Sequence, residues 1–323
     1  MKPSQPFTVF GILAGVLAVS TASLFIRFAQ VEASALAIAG YRMTLATLIL
    51  TPLVFLRYRF ELGTLNWKIG WKVLLSGFFL AVHFASWITS LQFTSVASSV
   101  VLVTTTPLWV AIFGSLLLKE KLLKQVVIGL AVALSGSVLV GLSGELPGWI
   151  SGESGLGEAF ASSSTSLTGN LLALIGAWTA AGYMLIGRSV RPQLSLPVYT
   201  FLVYGTSAVI LLVTIAVARI RITGFSQPVY IWLILLAVIP QLIGHSAFNW
   251  ALRYVPASLV SIALLGEPIG STILAMIFLR ENPALFEVIG GIFILAGIYI
   301  SSRMTSADKN PIPLSGNKEN SGP

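Results

Sequence analysis

Apolar residues run along this chain in continuous stretches, without the two-residue alternation of half-buried strands. Stretches of about 20 residues, enough to cross roughly 30 Å of hydrocarbon, lie near 7–29, 33–56, 69–91, 95–118 and 124–143. A second set lies near 168–188, 196–218, 228–251, 257–279 and 284–302. Continuous runs predict membrane helices and not the strands of a barrel, because a helix satisfies its own backbone bonds in lipid. The expected fold class is all-α integral membrane, with ten transmembrane helices. The first run follows a single lysine, Lys2, and reads as a membrane helix and not as a cleaved signal.

Composition agrees with this pattern. Of 323 residues 56% are hydrophobic and only 9% charged, against about 25% charged in an ordinary soluble domain. A net charge of +8 invites a nucleic-acid reading, but the basic residues stand singly or in small groups between apolar runs, where they anchor topology. No nucleic-acid partner is expected. With the N-terminus inside, 14 Lys and Arg fall on the inner side, and only Arg27, Arg219, Arg221 and Arg280 fall outside. Both termini are predicted to be cytoplasmic, in a multi-pass protein of the cell (plasma or inner) membrane. The absence of cysteine removes disulfides, thiolate metal sites and thiol nucleophiles.

The chain also repeats itself. At an offset of 161 residues Leu13, Gly15, Leu24 and Arg27 match Leu174, Gly176, Leu185 and Arg188. Further along, Pro107 matches Pro268, Glu120 matches Glu281, and Gly129 and Gly136 match Gly290 and Gly297. The expected organisation is a first five-helix repeat over 1–144, an external Gly/Ser-rich linker over 145–167, a second repeat over 168–303 and a disordered cytoplasmic tail over 304–323. Five helices per half place the second half in the membrane upside down. Two inverted halves of this kind can open a midplane site alternately to either side. Pro107 and Pro268 take equivalent places, and each is expected to kink its helix mid-span and free carbonyls there, or to serve packing alone.

The stretch "SLQFTSVASSVVLVTTTPLWVAIFGSLLLKEKLLKQVVIGLAVALSGSVLV" and its second copy "ALRYVPASLVSIALLGEPIGSTILAMIFLRENPALFEVIGGIFILAGIYI" resemble the EamA-type branch of the drug/metabolite transporter superfamily. The resemblance spans about residues 7 to 302. It implies a transporter whose central cavity is built from the first four helices of each half, with the fifth and tenth peripheral. It says little about substrate.

Charges inside the bilayer are costly, about 2.5–3.5 kcal/mol on insertion scales, and each therefore points to function. Arg42 and Glu267 are the two expected near the midplane, Glu267 ten residues into its run. They either form a structural ion pair or flank a polar cavity, where Arg42 would hold a carboxylate and Glu267 an ammonium group or a coupling proton. The remaining alternatives are an Arg42 that snorkels and a Glu267 that stays protonated and hydrogen-bonded. His83 and His245 miss repeat equivalence by one residue and are either helix–helix hydrogen-bond partners or cavity groups. Tyr41, Trp87, Thr105, Trp178, Tyr183, Gln241 and Asn249 complete the candidate cavity set. No metal, cofactor or catalytic residue is expected: the histidines have no acidic cluster near them and the spans contain no Asp. The leading expectation is an exporter of amino acids or related amphipathic metabolites, monomeric or homodimeric. A proton-coupled exporter of cationic compounds and a membrane scaffold without transport activity remain as alternatives.

Overall fold

A computed structural model describes residues 5–118, 124–141, 164–251, 253–254, 263–264 and 266–303. The tail over 304–323, most of the linker over 145–167, Glu120 and the start of the ninth run lie outside the described residues. Every regular element among the described residues is helical. The first run divides at Thr21 into α1 (Gln5–Ser20) and α2 (Ala22–Ala29). It is followed by α3 (Ala35–Arg57), the short α4 (Arg59–Gly63) and α5 (Trp67–Ser90). The fourth run divides into α6 (Val96–Val103) and α7 (Thr106–Leu118), and α8 covers Lys124–Gly141.

The second half comprises α9 (Ser164–Val190), α10 (Leu196–Val217) and α11 (Gln227–Leu236). After α11 the chain continues as a π-helical stretch, Ala237–His245, into α12 (Ser246–Ala251). Then come α13 (Gly266–Leu274), ending in a π turn at Ala275–Leu279, and α14 (Leu285–Arg303). Helix α9 begins four residues before the predicted linker ends. Starts are marked by caps that the sequence supplies: Asn66 accepts from Ile69 N–H at 2.9 Å, and Ser95 from Ser98 N–H at 2.9 Å.

Among the described residues seven stretches are long and apolar enough to cross a membrane, from Phe10–Ala29 to Gln227–Ala251. Shorter apolar helices occupy the places of the fifth, ninth and tenth predicted spans, at Val127–Val140, Gly266–Leu279 and Leu285–Gly297. The interior is formed where α9 lies along α5, α10 packs on α3 and α5, and α1 runs beside the π-helical stretch and α13.

Helices α8 and α14 pack on each other at the side. Glycines set their spacing: a Cβ added at Gly290 would lie 2.6 Å from Gly136 O, and one at Gly136 would lie 2.5 Å from Gly290 O. Neither backbone can give way. Gly290→Ala is therefore expected to destabilise the fold by about 1–3 kcal/mol, as overpacking does. Gly70→Ala, with no atom within 4 Å of the new methyl, should leave the melting temperature in detergent unchanged or slightly raised. Equal effects from the two substitutions would contradict this packing.

Both repeat-related prolines sit differently from the expectation. Pro107 is the second residue of α7 and Pro268 the third of α13. A first-turn proline gives up a donor that has no intrahelical acceptor, so neither one kinks a continuous helix. The break precedes Pro107, at Thr104 and Thr105, whose hydroxyls return to the carbonyls of Val100 and Leu102. The proline inside a described helix that accompanies irregularity is Pro240, within the π-helical stretch.

Candidate functional site

The carboxylates identify the site by elimination. Five glutamates are described, and four of them accept a backbone N–H at the start of a helix. Glu32 accepts from Ser226 N–H at 2.7 Å ahead of α11, and Glu61 from Ser195 N–H at 2.5 Å ahead of α10. Glu281 accepts from Val96 N–H at 2.5 Å at the start of α6, and Glu287 from Ala284 N–H at 2.8 Å at the start of its own helix. A negative charge there answers unpaired N–H groups and the helix dipole. The hydrogen bonds from Ser226 hold the exposed Glu32 carboxyl below the ordinary carboxylate range. Glu267 is the exception. Its carboxylate makes no hydrogen bond or ion pair with any described residue and lines a cavity.

That cavity measures about 70 Å³. Its walls come from α5 (His83, Trp87), the α6–α7 break (Thr104, Thr106, Pro107), α9 (Ala180, Tyr183, Met184), and the end of the π-helical stretch with α12 (His245, Phe248, Asn249). His83 Nδ1 lies 2.9 Å from Gly176 O, near the middle of α9. A carbonyl only accepts, so Nδ1 carries a proton, and in the neutral ring Nε2 is left as an acceptor. His245 lies beside it, ring centroids 6.5 Å apart, and packs edge-on to Phe84 and Phe248. The His83 ring stacks on Trp87. Tyr183 donates to Asn249 Oδ1 at 2.8 Å.

Behind this wall Arg42 is fully buried. Its Nε donates to Gln241 Oε1 at 2.7 Å, and its guanidinium lies 4.1 Å from the Phe84 ring centroid and 5.9 Å from that of Trp87. Arg42 and Glu267 form no ion pair; among the described residues the ion pair is Arg27–Glu281, at 3.3 Å. The buried nitrogens around the cavity share one deficiency. Arg42 Nη1 and Nη2, Gln241 Nε2, Trp87 Nε1 and Asn249 Nδ2 are all buried donors without an acceptor among the described residues. Buried unpaired donors are expensive and uncommon. Five such nitrogens sit on residues that line the cavity or back its wall, together with one carboxylate to which no described residue donates.

A polar seam ties the helices at one end of the molecule. Arg27 Nη2 donates to Thr94 O as well as to Glu281. Glu287 accepts from the hydroxyls of Ser95 and Ser98, each at 2.5 Å, and Thr94 donates to Asn170 at 3.0 Å. On the shared helices α6 and α9 the seam lies roughly 10–15 Å from cavity residues, at 1.5 Å per residue.

Comparison with known proteins agrees with this architecture. A model of the EamA-like transporter family matches residues 6–142 and again 167–303, so the two matches lie 161 residues apart, the offset of the internal repeat. The chain belongs to the EamA-like transporter family. An uncharacterized transporter of Archaeoglobus fulgidus is 25% identical over 286 residues, covering 86% of this chain and 91% of that protein. The uncharacterized transporter YxxF of Bacillus subtilis is 26% identical over 235 residues, covering 71% of this chain and 69% of its own. A solved crystal structure, 16% identical, superposes with a TM-score of 0.63 over 94% of this chain and 99% of its own, a likeness of fold.

Within this EamA-like fold the residues singled out in the sequence separate into groups. His83, Trp87, Tyr183, His245, Asn249 and Glu267 line one cavity, and Arg42 and Gln241 lie together behind its wall. Three others stand apart. Tyr41 donates to Ile222 O at 2.8 Å and packs edge-on to Tyr230. Thr105 bonds Leu102 O and accepts from Trp109 Nε1, while its neighbours Thr104 and Thr106 reach the cavity. Trp178 is 42% exposed and packs on Trp109, because its side of α9 turns away from the cavity. Glu267 itself lies in the first turn of α13, not deep in a continuous helix.

Two groups could not be picked out from the pattern. Arg191, counted with the topological anchors, is 1% exposed and donates to Asn249 O at 3.1 Å and to Leu194 O. Tyr204, buried on α10, lies 3.4 Å from Ser246 Oγ. A polar group within an apolar run was the available signal for Tyr204, but its i, i+5 spacing from Tyr199 gave no reason to select it.

Proposed function

We propose that this membrane transporter carries small amphipathic metabolites by alternating access, with amino acids as the leading class, across the plasma or inner membrane and with both termini cytoplasmic. In this reading the substrate ammonium binds Glu267, and its carboxylate meets the donors of Arg42, Trp87 and Asn249. The supporting observation is a mismatch among the described residues: donors without acceptors on one side, and a carboxylate without a donor on the other. A zwitterion supplies both complements without burying net charge.

The cavity favours a moving protein. At about 70 Å³ it has room for a few waters, whereas small-molecule sites begin near roughly 300 Å³. Substrate entry requires the walls to separate, and irregular backbone forms part of them: the α6–α7 break and the π-helical stretch that ends at His245. Such places absorb backbone change at low cost. Inverted repeats provide the second state.

Uptake of labelled amino acids into proteoliposomes, with and without a pH gradient, tests this reading. Flux that depends on the protein supports it. No flux of any amino acid, together with flux of a lipophilic cation, would replace it with the reading in which Glu267 alone attracts a cationic compound. The seam has its own test. Glu281→Gln removes a carboxylate charge that binds both Arg27 and Val96 N–H. In this cysteine-free chain, it should speed labelling of an Ala180→Cys cavity reporter by an impermeant maleimide applied from the seam side. Unchanged labelling would make the seam a static brace.

A further inference from the structure

A second concavity, larger than the cavity around Glu267, lies elsewhere on the molecule. Helices α5 and α10 approach so closely at Gly77 that a Cβ there would meet Thr206 Cβ at 2.5 Å. Around this crossing they leave an open wedge of about 610 Å³ on the outer surface. Trp71, Leu74 and Phe78 form one wall, and Phe201, Gly205 and Val209 lie on the other. The threonine hydroxyl on the wedge wall is already engaged, because Thr206 donates to Leu202 O at 2.8 Å. On α10 it runs from Phe201 to Ile210, about 14 Å at 1.5 Å per residue. That is close to one leaflet, half of the roughly 30 Å hydrocarbon core.

Charge at one rim identifies the occupant. Lys68 and Lys72 are exposed and fall on the helical stripe that continues through Trp71, Leu75 and Phe78. Neither forms an ion pair with a described residue. The nearby Arg57 and Arg59 are exposed as well, and the one acidic side chain in the segment, Glu61, is engaged by Ser195 N–H. An apolar slot of one-leaflet length beneath unpaired cations and an exposed tryptophan matches a lipid with an anionic head.

We propose that the α5–α10 wedge is a binding site for an anionic phospholipid of the leaflet in which both helices begin. One acyl chain occupies the slot, and Lys68 and Lys72 hold the phosphate. The assignment depends on the helices spanning a membrane and not on the substrate of the transporter.

Native mass spectrometry of the full chain in detergent, with phosphatidylglycerol and phosphatidylcholine of equal chain length, tests it. The unaltered protein should retain phosphatidylglycerol several-fold better. Lys68→Gln with Lys72→Gln should erase that preference while some lipid stays bound. Leu74→Trp, which fills the slot from a side chain already 47% exposed, should reduce retention of both lipids. Val209→Trp, from the opposite wall and 61% exposed, should repeat that result if Leu74→Trp proves unstable. Equal retention of the two lipids by the unaltered protein would overturn the proposal. So would a preference that survives loss of both lysines, or a dimer whose cross-links map to the wedge.

Discussion

Replacing Glu267 by Gln is expected to abolish gradient-driven uptake while leaving the protein folded. No described residue relies on this carboxylate for a hydrogen bond, so its amide isostere orphans no partner. Every other described glutamate caps a helix start and would cost stability if changed. The functional loss should be large. An ammonium about 4 Å from a carboxylate gains roughly 4 kcal/mol at an effective dielectric near 20. Losing even a third of that lowers affinity about tenfold. Two measurements separate the roles of the residue. If the variant loses acceleration by a pH gradient but still exchanges substrate across the bilayer, Glu267 carries the coupling proton. If exchange is lost as well, it binds substrate. A variant that transports like the parent and responds equally to the gradient would remove Glu267 from the mechanism.

Arg42→Met should separate stability from function in the opposite sense to an ordinary buried ion pair. Breaking such a pair costs about 3–5 kcal/mol. Arg42 has no carboxylate partner here, and its two terminal nitrogens have no acceptor. Removing the charge relieves an insertion cost of about 2.5–3.5 kcal/mol. Against that stands the Gln241 carbonyl left unpaired, about 1–3 kcal/mol, and the lost contact with Phe84. These nearly cancel, so the melting temperature in detergent should stay close to that of the parent. Uptake of carboxylate-bearing substrates should fall about tenfold or more, since a charged hydrogen bond contributes about 1.5–3 kcal/mol. Transport of a cation without a carboxylate should be unaffected. A collapse in stability with no selective effect on carboxylates would make Arg42 a structural residue.

Much of the fold was legible because lipid imposes a simple rule on sequence. Continuous apolar runs had to be helices, and the offset of 161 residues recurs as the spacing of the two family matches. Two of the repeat-matched glycines, Gly136 and Gly290, meet at a close helix contact. Helix irregularities were less visible. The interruption at Thr21, the break at Thr104 and Thr105 and the π-helical stretch depend on side-chain hydroxyls and on neighbouring helices that supply or withhold backbone partners.

The candidate site divides in the same way. Its unusual members, Arg42, Glu267 and the two histidines, stood out because polar groups are rare in runs of this length. Which of them meet was not legible. A run hydrophobic on nearly every side has no polar face to show rotation, so the outward turn of Trp178 and Tyr41 and the separation of Arg42 from Glu267 followed only from packing. Sequence by itself determined the solvent, the helical class, the duplication and the identity of the rare charges, since each is a property of local composition. The tertiary structure decided which glutamates are spent on helix starts and which one faces a cavity. That choice depends on contacts between helices distant in the chain, such as Glu61 with Ser195 and Glu281 with Val96, and no local pattern encodes it.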